Sequence, residues 1–212
     1  MHKVTRVLGA LAASAVLFAP ALAAAQDRLQ LTLGVAGVIP ADDAEISLIG
    51  GDVDVTNRVV PSLQVEFFFT ENISAELFCC LARHSATAVD TALGSFPLAR
   101  VTLFPPVVTA KYRLSNLGKF QPFIGVGFNY TQFFDEGIPD GSPVTAIRFD
   151  DSFGPAVQFG FDYKISDHFY FRADARRVWL DTDVNIQAGD VSLAAQVDIN
   201  PWIPTAGLGF RF

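Results

Sequence analysis

"PTAGLGFRF", residues 204–212, alternates without a break: Leu208, Phe210 and Phe212 take one parity, Gly207, Gly209 and Arg211 the other. A period of two marks a strand whose two faces meet different surroundings. One face here is apolar up to the final residue, whereas soluble domains more often fray into polar ends. The fold turns on what that apolar face touches.

The same alternation recurs along the chain. Leu29, Leu31, Leu33 and Val35 share one parity, as do Leu63, Val65, Phe67 and Phe69 against Ser62, Gln64 and Glu66. Ile73, Ala75, Leu77 and Cys79 oppose Ser74 and Glu76, and Val108, Ala110, Tyr112 and Leu114 oppose Thr109, Lys111 and Arg113. Ile124, Val126, Phe128 and Tyr130 oppose Gly125, Gly127 and Asn129. Phe153, Val157, Phe159 and Phe161 oppose Gly154, Gln158 and Asp162, and Phe169, Phe171 and Ala173 oppose Arg172, Asp174 and Arg176. With a closing segment from Val197 to Phe212, eight strands are predicted.

Short turns fall near Glu71-Asn72, at Ser115 to Lys119 and at Ser166-Asp167-His168. Long polar stretches at about 40–57, 83–99, 135–149 and 181–196 read as loops and alternate strictly with those turns. The expected fold is all-β: an eight-stranded antiparallel up-and-down transmembrane β-barrel, with short periplasmic turns and long external loops. A soluble eight-stranded barrel carries its apolar residues inside. Here the opposite parity holds Glu, Lys, Arg, Asp and Gln, too many for a small dry core.

The N-terminus agrees with export. His2, Lys3 and Arg6 precede an apolar run from Val7 to Ala19, and Ala23 and Ala25 suit cleavage before Gln26. Residues 1–25 are therefore expected to be a cleaved signal peptide and 26–212 the barrel. Hydrophobic residues make up 50% of the chain and mean hydropathy is +0.33, yet no later stretch has the run of about 18 apolar residues that a spanning helix needs. Only a closed sheet then satisfies its own backbone in lipid. Loss of Lys3 and Arg6 from the 15 basic residues leaves 13 against 22 acidic ones, a net charge of −9, which excludes nucleic acid as a natural partner.

Inward residues near the short turns are mostly charged. Glu66, Glu76, Lys111, Arg113, Asp162, Arg172 and Arg211, with Asp174 and Arg176 somewhat higher, are expected to pair as an ionic plug, since unpaired charges are costly away from water. Nearer the outside the inward set turns apolar: Ala36, Val38, Phe78, Cys80, Val107, Val178 and Ile203, an expected apolar pocket. Pro61, Pro105, Pro106 and Pro155 each remove a ladder donor, which makes them candidates for a lateral opening in the wall. The adjacent Cys79 and Cys80 read as small hydrophobes rather than a redox pair. No catalytic spacing, metal-ligand set or cofactor motif is present, so an enzyme is not expected; Asp135, Glu136 and Asp140 read as a solvated acidic loop.

Several stretches together carry a resemblance. "LFPPVVTAKYRL" in the fourth strand, "FQPFIGVGFNYTQFF" in the fifth, "SFGPAVQFGFDYKISDHFYFRADAR" in the sixth and seventh and "VDINPWIPTAGLGFRF" at the end resemble the outer membrane protein W family, with "FCCLARHS" matching through His84. The resemblance implies a small outer-membrane barrel linked to passage of small hydrophobic molecules, with relatives in alkane uptake. The terminal Phe210 and Phe212 resemble the signal read by the outer-membrane assembly machinery. Lipid, lipopolysaccharide, that machinery and small hydrophobic solutes are the expected partners. The expected function is facilitated diffusion of apolar molecules from the external pocket sideways into the membrane. The competing reading is a structural or adhesive barrel whose external loops bind surface partners.

Overall fold

The computed structural model describes residues 28–41, 52–90, 94–189 and 191–212; the expected signal peptide lies outside the described residues, as does most of the first external stretch. The strands are β1 (Leu29–Val38), β2 (Asp52–Val55), β3 (Arg58–Phe68), β4 (Ile73–Cys80), β5 (Ala82–Val89), β6 (Phe96–Phe104) and β7 (Val107–Arg113). They continue as β8 (Phe120–Gly137), β9 (Ala146–Phe149), β10 (Ser152–Lys164), β11 (Phe169–Val178), β12 (Asp181–Ala188), β13 (Val191–Asp198) and β14 (Trp202–Arg211). Antiparallel pairing closes a ring in the order β1–β3–β4–β7–β8–β10–β11–β14 and back to β1. This is the eight-stranded up-and-down barrel that the alternation predicts.

Its polarity is that of a membrane barrel. Ile124 and Val126 point outward and are 65% and 66% exposed although apolar, whereas Lys111 and Arg113 point inward and are 2% and 1% exposed although charged. Tyr112, Tyr163 and Phe169 ring the end with the short turns, and Tyr130, Trp179 and Trp202 ring the other, where aromatic girdles meet the lipid–water interface.

The long polar stretches are a correction. Much of 83–99, 135–149 and 181–196 is strand rather than loop: β5, β6, the upper part of β8, β9, β12 and β13 prolong the barrel staves as paired hairpins. Above the lipid neither face has to be apolar, so the period-two contrast fades from the sequence while the backbone ladder continues. The closing segment is likewise two strands, interrupted between Asp198 and Trp202 at Pro201. The extensions form two groups: β2–β5–β6 continues the barrel's own sheet from the upper part of β8, and β9–β12–β13 is a three-stranded sheet of its own. A small apolar cluster joins them, built on Ala99, Val144, Ile147 and Val184 with Leu98, Ile186 and Val197 packed against it.

Inward glycines give the lumen its room. Gly207 faces Gly34 across the β1–β14 seam and Arg172 across β11–β14. A Cβ on Gly207 would sit 2.5 Å from the Leu33 carbonyl oxygen, so a side chain here forces the two strands apart. Gly207→Val is expected to lower barrel stability by about 1–3 kcal/mol. The measurement is the urea midpoint in detergent micelles, read by heat-modifiable gel mobility; an unchanged midpoint would show slack in the inner wall.

Candidate functional site

Inward side chains sort by height into three layers. The lower one is ionic, and Arg172 is its hub. Its Nε donates to Asp162 Oδ1 at 2.6 Å, Nη1 donates to Glu76 Oε2 at 2.6 Å and to Gln64 Oε1 at 3.0 Å, and Nη2 pairs with Glu66. Lys111 Nζ bridges Glu66 at 3.0 Å and Glu76 at 2.7 Å. Arg113 pairs with Glu66 at 2.8 Å and also with Asp162, and Arg176 pairs with Glu76 at 2.6 Å and Asp174 at 2.9 Å. Four cations thus meet four carboxylates, every one of these side chains at most 1% exposed. Neutral groups complete the coordination: Ser74 Oγ donates to Glu66 at 2.5 Å, and Gln158 Nε2 donates to Glu76 at 3.1 Å and Asp174 at 3.2 Å. Phe123 lies under Lys111, 3.7 Å from Nζ to the ring centre, and adds a cation–π contact.

Arg211 departs from the expectation that it joins this plug. Among the described residues it has no ion pair. It donates to Gln30 Oε1 at 2.8 Å and stacks over Phe68 and Tyr170, 4.0 and 4.3 Å from the ring centres. The reason is charge balance: the four carboxylates are already saturated by four closer cations, and β14 ends at the mouth of the barrel. Arg211 instead forms one wall of a cavity of about 500 Å³ at that mouth, with Arg28, Gln121 and Lys164.

Above the ionic layer the structure gathers Val38, Phe78, Cys80, Val107, Val178 and Ile203 into one cluster with Ala36, Ala82, Val101, Leu103, Phe133, Ala156 and Leu180. Phe78 is the join between layers, since the Arg176 guanidinium lies 4.1 Å above its ring. The cluster is packed rather than hollow: none of the seven expected pocket residues is more than 5% exposed. It is therefore an apolar layer closed by its own side chains, and the cluster between the two extension sheets lies above it. Cys80 belongs to this layer and Cys79 faces the wall; both are free thiols. His84 sits just above on β5, its ring Nδ1 2.7 Å from the Thr56 carbonyl oxygen, and burial holds it below the usual imidazole range. Nδ1 then carries the proton, and Nε2 is a buried acceptor without a partner among the described residues.

The prolines do not act alike. The β4–β7 ladder ends at Phe78↔Val107 and resumes on β5–β6 at Ala82↔Leu103, so Cys79–Leu81 face Phe104, Pro105 and Pro106 without a rung. On the other side the β3–β4 ladder ends at Ser62↔Cys80, just below Pro61, and the next backbone bond is Thr56 N to Ser85 O at 3.1 Å. Pro61, Pro105 and Pro106 therefore converge on one segment around Leu81 that is unladdered on both sides. Pro155 lies apart: it sits opposite Phe128, and its carbonyl accepts from Trp179 N at 3.0 Å.

A second break was not visible in the sequence. The β8–β10 ladder stops at Ser152↔Thr131, and above it carboxylates stand in for backbone. Asp151 accepts from Tyr130 Oη at 2.7 Å and from Phe133 N at 3.4 Å, while Glu136 accepts from Phe149 N at 2.8 Å. Phe133 and Phe149 stack across this seam at 5.5 Å. Of the acidic loop, Glu136 is thus a structural acceptor, and Asp135 pairs with Arg83 at 3.1 Å. The signal available was weak: acids at strand ends resemble any solvated loop.

A lipid-facing eight-stranded barrel with a charged lower lumen narrows the candidates, and a family model settles the matter: the OmpW family matches residues 25–212. The chain belongs to the OmpW family. Outer membrane protein W of Escherichia coli is 30% identical over 219 aligned residues that cover 100% of both chains. The crystal structure of the outer membrane protein OprG from Pseudomonas aeruginosa matches with a TM-score of 0.80 at 26% identity, covering 88% of this chain and 96% of that one. A Pseudomonas aeruginosa protein named as dibenzothiophene metabolism operon protein PahQ is 26% identical over 166 residues, 77% of this chain and 76% of its own. Membership places the chain in the outer membrane, as the wall polarity does independently.

The contrast between two arginines tests the layered lumen. Arg172→Ala takes a cation from three buried carboxylates, leaving the layer one charge out of balance, and is expected to cost about 3–5 kcal/mol. Arg211→Ala removes ring stacking and two hydrogen bonds donated to Gln30 Oε1 at a half-buried position, at about 1–2 kcal/mol. Urea unfolding of both variants in micelles checks the order; equal losses would mean that the two arginines serve one network.

Proposed function

We propose that this barrel is a conduit for small apolar molecules, which reach the apolar layer from outside and leave through the wall into the membrane. The observation that carries the reading is the position of that layer, directly above a charge-saturated plug and level with the unladdered segment around Leu81. The layer is filled, so a solute has to displace Val, Ala, Leu and Phe side chains. That exchange swaps apolar contact for apolar contact and forfeits no hydrogen bond.

Below the layer, an apolar solute would have to push into desolvated ion pairs, with nothing to offset the lost pairing. Sideways, past Leu81 and between Pro61 and Pro105-Pro106, it enters hydrocarbon with a gain of about 0.8 kcal/mol per methylene removed from water. The sideways route wins for a solute of even a few methylenes. The relative named for a dibenzothiophene metabolism operon supports an apolar solute class. No catalytic role enters this reading. Phe210 and Phe212, packed edge to face at 4.9 Å on the last strand, are the end we assign to recognition by the assembly machinery.

Phe78→Asp, which places a charge in the apolar layer, is expected to lower uptake of a hydrophobic probe into cells lacking the native protein at least fivefold. Arg172→Ala, in whatever fraction folds, is expected to leave uptake unchanged or reduced. The lateral route fails if Arg172→Ala raises uptake severalfold while Phe78→Asp has no effect, because the path then runs through the plug. A barrel that serves only to anchor its external hairpins would show no dependence on either residue.

A further inference from the structure

The outer wall carries a second feature at the unladdered segment. Arg58, Val60, Leu81, Arg83, Ser85 and Arg100 line an open depression of about 600 Å³ between β3, β5 and β6. Three of the chain's 15 Lys and Arg residues meet here, although the protein is acidic overall. Arg58 Nε donates to the Arg83 carbonyl at 2.8 Å, which fixes its guanidinium at the rim of the depression. Among the described residues neither Arg58 nor Arg100 has a carboxylate partner. Arg83 pairs with Asp135 at 3.1 Å, but both side chains are about 60% exposed, 61% and 62%, so the pair is weak and readily exchanged.

Height decides what such a cluster meets. Val59 and Leu81 are exposed apolar residues, 77% and 56%, and belong to the lipid-facing belt. Arg58 directly precedes Val59 in the chain and lies one residue above it, and Arg83 lies two residues above Leu81, roughly 7 Å at about 3.3 Å per residue. Arg100 pairs with Ser85, two residues higher again. The three guanidiniums thus occupy the zone just beyond the hydrocarbon, where lipid phosphates lie. Guanidinium binds phosphate oxygens in pairs, with charge-assisted bonds that a lysine would not shape.

We infer that this depression is a binding site for the phosphate of an outer-leaflet glycolipid, whose acyl chains lie along the lipid-facing Val59 and Leu81. Arg58 and Arg100 hold the phosphate, and Arg83 joins them by exchanging Asp135 for it. Such a lipid stands at the mouth of the proposed exit, but its binding requires no transport.

The test uses the mature barrel in detergent micelles and native mass spectrometry, with no transported solute present. The probes are a bis-phosphorylated diglucosamine lipid and its dephosphorylated counterpart with the same acyl chains. The phosphorylated lipid is expected to bind at least tenfold more tightly, and the Arg58→Gln/Arg100→Gln double variant to erase that preference. Arg148→Gln, which removes an external cation on β9, is expected to preserve it. Arg100→Gln alone, which touches no backbone carbonyl, stands in should the double variant fail the heat-modifiability check for folding; it is expected to cut the preference severalfold. The inference is overturned if both lipids bind equally, if Arg148→Gln weakens binding as much as the cluster variants, or if inorganic phosphate displaces the lipid at matching concentration. The last outcome would mark a free-anion site. Because no uptake is measured, failure here leaves the conduit reading standing, and failure of uptake leaves this site standing.

Discussion

Eight buried charges that sum to zero govern this barrel. Glu66, Glu76, Asp162 and Asp174 are each met by Lys111, Arg113, Arg172 or Arg176, and removal of any one leaves an uncompensated charge in a dry layer. The layer dictates its surroundings. Long arginines crossing a narrow lumen need bare wall opposite them, which Gly207 provides beside Arg172. Leftover hydrogen-bond capacity needs neutral partners, which Gln64, Gln158 and Ser74 provide. Phe78 and Phe123 cap the network with ring faces, and at the upper join the Arg176 guanidinium meets the Phe78 ring while its Nε has no hydrogen-bond partner among the described residues.

The wall was legible in the sequence because lipid imposes a rule on every second residue. From Leu29 to Phe212 that rule reaches each membrane stave, and the inward parity placed Glu66, Lys111 and Arg172 in one layer and Phe78, Val107 and Ile203 in another. The rule lapses above the membrane. Ala99, Val144, Ile147 and Val184 form a core there, yet they are isolated apolar residues in polar stretches, and only tertiary pairing brings them together. Arg211 was misplaced for a different reason: parity fixes which face a residue takes, but charge balance, a property of the whole layer, fixes whether it finds a carboxylate. The seam at Asp151 and Glu136 lay beyond reach because a side chain standing in for a backbone acceptor leaves no periodic trace.

Proline shows how one residue type serves two ends in one wall. Pro155 surrenders a donor but keeps its carbonyl in use, so the sheet stays closed beside it. Pro61, Pro105 and Pro106 fall around a single segment, and together they free Leu81 from both neighbours. Grouping, rather than number, separates a tolerated defect from a weak place. That the arginine-lined depression opens at the same segment ties the state of the wall to the lipid beside it.

The distribution of charge around the ring also bears on the order in which the barrel is made. Every ionised member of the buried layer comes from β3, β4, β7, β10 or β11. The first and last staves, β1 and β14, meet on the inner side through Gln30, Thr32 and Gly34 against Arg211, Gly209, Gly207 and Thr205, with no carboxylate among them. A sheet still open at that junction therefore has its ion pairs on interior staves, free to form as the sheet curls, while its two free margins present neutral side chains apart from Arg211. Closure becomes a late event that asks for backbone hydrogen bonds and two glycines in close approach, and the cation at that margin, Arg211, meets a neutral partner in Gln30 rather than a carboxylate.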